Sequence, residues 1–91
     1  MNKKELSELR ELVELVIYSH SKRDAQPYIS RLEFLASQVK SGIDSYLSGK
    51  VSEVVSYAKQ ASGQVKDKQH WISCMEASWY VLESDALDDE C

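Results

Sequence analysis

Proline occurs once in this chain, glycine three times and phenylalanine once. Few positions can therefore break a helix or turn the backbone sharply. There are two cysteines, Cys74 inside an apolar stretch and Cys91 at the last position. A pair so placed is no disulfide framework, and a reducing cytoplasm is the simplest expectation. No apolar run approaches the roughly 18 residues that span a bilayer. Lys3 and Lys4 resemble the start of a leader peptide, but glutamates at 5, 8, 11 and 14 interrupt any apolar core behind them. We therefore expect no secretion signal and no membrane partner. Beyond Lys22-Arg23 there is no basic cluster, which disfavours nucleic acid. No segment alternates with period two for long enough to argue a strand.

What the sequence does contain is a single domain's worth of amphipathic helix. Ninety-one residues with 43% apolar and 29% charged side chains match an ordinary globular domain. The formal charge of −4 is unevenly spread: residues 69–91 carry six acids and no Lys or Arg. Most of those acids lie at 85–91, which reads as a solvated, disordered acidic tail after a helical domain over 1–84.

One stretch organises the rest. His70 to Leu82 holds both tryptophans, Cys74 and Met75. At about 100° per residue, Ile72, Met75, Trp79 and Leu82 form one stripe, which Trp71, Cys74, Ser78 and Val81 widen. An arc that wide suits a helix gripped by two or three neighbours.

The other helices follow from their stripes. Leu6, Leu9, Leu12, Val13, Val16 and Ile17 share a face, with His20 ending it, so a first helix is expected over 3–21, capped by Asn2. Asp24 is a candidate cap for a second helix carrying Pro27 in its first turn, and Tyr28, Ile29, Leu32, Leu35, Ala36 and Val39 line its face. Gly42 offers that helix a left-handed end. A third helix over 43–62, capped by Asp44, places Ile43, Leu47, Val51, Val54, Ala58 and Ala61 in one sector, with Gly49 outward. A competing spacing carries the second helix through to Gly49. Ser62-Gly63-Gln64 is the next break, and Asp67 can start a fourth helix running to about Ser84. Four such segments with short connections predict an all-α, antiparallel four-helix bundle. The alternative is a three-helix bundle in which 51–84 forms one long rod and favours a dimer.

Catalytic and metal chemistry finds little footing. His70 and Cys74, at i and i+4, could face one metal, but a zinc site needs three or four ligands and no second pair exists. Neither a metal nor a cofactor is expected. Cys74, flanked by Trp71, Ile72 and Met75, reads as a core thiol. Glu5, Glu8, Glu11 and Glu14 precess around a helix among Lys4 and Arg10, as a solvated face does. No phosphate loop, dinucleotide fingerprint, HExxH or G-x-S-x-G is present. We expect no catalytic residues and no enzyme, and little room for a ligand pocket of ~300 Å3 in so small a bundle.

The remaining signal is apolar residues that fall off the stripes. Leu15, Tyr18 and Phe34 lie away from their core faces and are expected to form one exposed patch on the first two helices. Tyr80 is off-stripe on the last. Grouped exposed aromatics mark partner sites, although single exposed apolar residues are commonplace. The expected function is thus binding of another protein as a regulator, inhibitor, adaptor or immunity-type factor. In length and overall plan the chain resembles bacteriocin immunity proteins, which are antiparallel four-helix bundles; no motif carries that likeness, so no residues transfer from it. Two other readings stand beside it. Histidine phosphotransfer domains are similar bundles with an exposed helical His, for which His20-Ser21-Lys22 is the candidate, without the glycine those domains carry. The patch could instead close a homodimer.

Overall fold

The computed structural model describes residues 3–88. Four helices, α1 (Lys3–Ile17), α2 (Lys22–Lys40), α3 (Ser45–Ala61) and α4 (Lys68–Asp88), follow one another without a strand among the described residues. Short connections between helices that pack on their successors make neighbours antiparallel. α3 packs most extensively on α4, and α1 on α2; α1 also meets α3 across the centre, while the backbones of α2 and α4 do not come close. The contact between α1 and α4 is the thinnest of the packed pairs. The result is an antiparallel four-helix bundle of 39 × 23 × 19 Å.

Each helix buries the stripe its periodicity dictates. Leu9, Val13, Val16 and Ile17 of α1 meet Leu32 and Val39 of α2, Val51 and Val54 of α3, and Met75 and Leu82 of α4 in one core. Leu12, Tyr28, Leu35, Ile43, Trp71 and Ile72 are only half-buried at its margin. Gly49 faces open space on the outside of α3. α4 sits against α3 and α1 only, and its stripe is Met75, Ser78, Trp79 and Leu82. Ser78 is tolerated there because its Oγ donates to Glu53 Oε2 at 2.9 Å on α3, leaving no buried side-chain polar atom unsatisfied among the described residues.

The boundaries correct several expectations. α1 stops at Ile17, not 21. Ser19 Oγ donates to the Val16 carbonyl at 2.8 Å, and the Ile17 carbonyl is taken by Lys68 Nζ, so the last carbonyls are satisfied without another turn. His20 thereby leaves the core stripe and is exposed in the connection. Ser21, not Asp24, caps α2: its Oγ accepts from the Asp24 N–H at 3.1 Å, and Pro27 falls in the second turn rather than the first. Gly42 is not left-handed. Ser41 ends α2 in the right-handed region, and Gly63, at φ +73°, is the one positive-φ residue among those described. Asp44 caps α3 as expected, accepting from the Leu47 N–H at 2.9 Å, which rules out a second helix continuing to Gly49. The break at 62–67 likewise rules out the 51–84 rod and its three-helix bundle. α4 runs past Ser84 to Asp88. The Asn2 cap and the tail beyond Asp88, with Cys91, lie outside the described residues.

One end of the bundle is held by two lysines. Lys68 Nζ also donates to the Ala61 and Gly63 carbonyls, at 2.8 and 2.7 Å. Lys22 Nζ reaches the Lys59 carbonyl at 3.2 Å and Ser62 Oγ at 3.3 Å. Cations from the starts of α2 and α4 thus satisfy the carbonyl ends of α1 and α3, the ends that the helix dipole makes negative. Burial, and then the charge of Lys22, hold the Lys68 pKa below the ordinary lysine range.

Candidate functional site

Two grooves flank α1. The larger, about 670 Å3, opens where α1 and α4 barely meet, over Leu6 and Trp79. It is larger than a bundle of this size was expected to hold, because the thin α1–α4 contact leaves the seam unfilled. The residues around its floor are matched to one another. Arg10 lies over the Trp79 ring, 5.4 Å from its centroid. It donates to Glu14 Oε1 at 3.1 Å and to Glu76 Oε1, and approaches Met75 Sδ at 3.6 Å. Burial opposes the charge of Arg10, yet the bonds to Glu76 and Glu14 outweigh it and raise its pKa. The indole N–H of Trp79 is used too, donating to Glu83 Oε2 at 3.2 Å. Trp79 is only 6% exposed, so this groove lies over a covered ring whose polar neighbours Arg10, Glu14 and Glu83 are bonded, with Glu11 on its rim.

The second groove, about 410 Å3, lies between α1 and α2. Leu12 and Leu15 of α1 and Phe34 and Leu35 of α2 form its apolar walls, with Glu8 and Glu11 along one bank and Arg31 and Gln38 along the other. Phe34 is 67% exposed and Leu15 42%. The structure therefore brings Leu15 and Phe34 to one groove. Tyr18 is exposed but is not part of those walls: its ring faces Lys68 Nζ at 5.9 Å, on the side where α4 begins. Tyr80 is exposed on α4, a helix whose backbone does not approach α2. The expected patch of three thus resolves into the pair Leu15 and Phe34 with Tyr18 apart, and Tyr80 stands separately on α4. Tyr46, exposed on the first turn of α3 with Lys50 Nζ 5.6 Å from its ring centre, was not anticipated. Its neighbour Leu47 is the buried one, as the stripe of the third helix predicts.

Other charged and aromatic groups pair with one another. His70 Nε2 lies 3.8 Å from Cys74 Sγ, and no group of three His, Cys, Asp or Glu among the described residues is placed to hold a metal ion. Trp71 is stacked on Tyr57 of α3, centroids 6.1 Å apart, with the His70 ring edge-on at 5.0 Å, which ties α4 to α3. Glu53 is held below the usual carboxylate range by the hydrogen bond from Ser78 and then by Lys50. No described helix is long and apolar enough to cross a membrane. The fold defines the chain as a helical-bundle protein. No protein-family model, curated protein or solved structure matches it.

Proposed function

We propose that this chain is a small non-enzymatic protein-binding module, a regulator, inhibitor, adaptor or immunity-type factor of the cytoplasm. Its docking face is the groove between α1 and α2. The observation that supports the reading is the uncovered pair Leu15 and Phe34 on the groove walls, beside half-buried Leu12 and Leu35. Moving one large apolar side chain out of water stabilises a complex by roughly 1.5–3 kcal/mol. A phenylalanine two-thirds exposed on a packed helix pair is therefore suited to anchor a partner. The bundle does not need these side chains for its own core, so their substitution separates binding from folding.

Affinity capture from the native cell tests this, comparing wild type with Phe34→Glu and Tyr80→Glu. A partner retained by wild type and Tyr80→Glu but lost by Phe34→Glu supports the groove. Equal retention by all three removes it, and loss by Tyr80→Glu alone moves the docking face to α4.

A further inference from the structure

The banks of the α1–α2 groove specify more than an apolar occupant. Among the described glutamates, Glu14 and Glu76 hold Arg10, Glu33 pairs with Lys59, and Glu53 holds Lys50 and Ser78. Glu83 accepts from Trp79, and Glu5 is also engaged. Glu8 and Glu11 are the described glutamates with no side-chain bond inside the chain, and both stand on the α1 bank of this groove, Glu11 on the ridge it shares with the α1–α4 groove. They sit one turn apart on α1, where like charges repel. Across the apolar floor, Arg31 on α2 likewise has no ion pair among the described residues. The cleft between two packed helices is a natural seat for a third, whose side-chain ridge enters it.

Resting on the docking face proposed above, we infer that the occupant is an amphipathic helix of a different protein, with an apolar face, two Lys or Arg one turn apart along the edge that meets Glu8 and Glu11, and an acidic residue on the edge that meets Arg31. Charge argues against a second copy of this chain. Each copy brings two carboxylates and one guanidinium to the face, and each carries a net charge of −4, so self-association leaves unbalanced acids and adds repulsion between the wholes. A basic-edged helix removes both penalties and is steered to the groove.

The test uses two synthetic helical peptides of about five turns, with the same leucine face and an acid on the Arg31 edge. One has lysines and the other glutamates on the edge that meets Glu8 and Glu11. They are titrated into isotopically labelled protein and followed by amide chemical shifts. The lysine-edged peptide is expected to shift amides of 8–15 and 31–38 saturably and to bind about tenfold more tightly than the glutamate-edged one. That preference is expected to fade as salt rises from about 50 to about 300 mM. The Glu8→Lys, Glu11→Lys variant is expected to reverse it; both positions are exposed and unbonded, and an unchanged melting curve checks the fold. Equal binding of the two peptides, a preference that survives the reversal, or shifts elsewhere would overturn the inference. If neither peptide binds while Phe34→Glu still loses its captured partner, the basic-helix inference falls and the docking face stands. Sedimentation showing wild-type dimers that Phe34→Glu abolishes would replace the foreign helix with a second copy.

Discussion

Of the three glycines, Gly63 is the one whose replacement by alanine should destabilise the bundle. Gly63 is buried at the close of α3 with φ +73°. An alanine there adopts the left-handed region at a cost of roughly 1–2 kcal/mol. Its Cβ would also lie 3.0 Å from the Lys22 nitrogen and 3.1 Å from Ser21 Cα and carbonyl carbon. Those are backbone atoms at the start of α2, fixed by the Ser21 cap, and they cannot rotate aside as a side-chain end would. Alanine restricts the unfolded chain too, which returns roughly 0.4–1 kcal/mol. The net expectation is a loss of about 1–3 kcal/mol, a large share of the 5–15 kcal/mol typical of a domain. Gly49→Ala is the matched opposite: its Cβ meets nothing within 4 Å on an exposed turn of α3, so a gain of about 0.5–1 kcal/mol is expected. Gly42→Ala, whose Cβ comes no closer than 3.8 Å to the Val39 carbonyl oxygen, should be tolerated. Urea unfolding followed by helical circular dichroism compares the three midpoints. A Gly63→Ala midpoint at or above wild type, or a Gly42→Ala loss as large as that of Gly63→Ala, would refute the assignment of the single left-handed position.

Three further outcomes follow from the packing. Trp79→Ala should cost about 3–5 kcal/mol, since the ring is almost wholly buried under Arg10; near-wild-type melting would place α4 wrongly. Lys68→Met removes the cation that three carbonyls share and should cost about 1–3 kcal/mol, with amide exchange accelerating first at the ends of α1 and α3. Glu53 has a lowered folded-state pKa, so its contribution is present above the ordinary carboxylate range and lost as pH falls through the folded value. The stability gap between wild type and Glu53→Gln should therefore be widest near neutrality and close in acid; a gap that is flat with pH would mean that the carboxylate charge is not what matters.

The helical stripes made most of this fold legible before any coordinates. Helix phase depends only on spacing, and residues such as Leu9, Leu32, Val54 and Leu82 lie where 100° steps put them. The helix ends were harder because they depend on partners distant in sequence. α1 halts at Ile17 with help from Lys68, a residue of α4, and no local rule could foretell that bond. Ser21 and Asp24 both suit a cap, and only the turn geometry chooses between them. The same limit applies to the site. Spacing alone set Leu15, Tyr18, Phe34 and Tyr80 off their stripes, and all four are exposed. Which of them share a groove depends on how the connections aim α1 and α2. That Glu8 and Glu11 stay unbonded while Glu14 and Glu76 do not depends on Arg10, which reaches from α1 to α4.

We propose that the α1–α2 groove, not the α1–α4 seam or an outlying tyrosine, receives another protein. A photoreactive phenylalanine analogue at position 34, with a control at position 46 on α3, tests it inside the native cell. A discrete adduct heavier than the chain by a foreign protein is expected at position 34, weakened by Leu15→Glu and absent at position 46. The same adducts at both positions, or none at position 34, would contradict it.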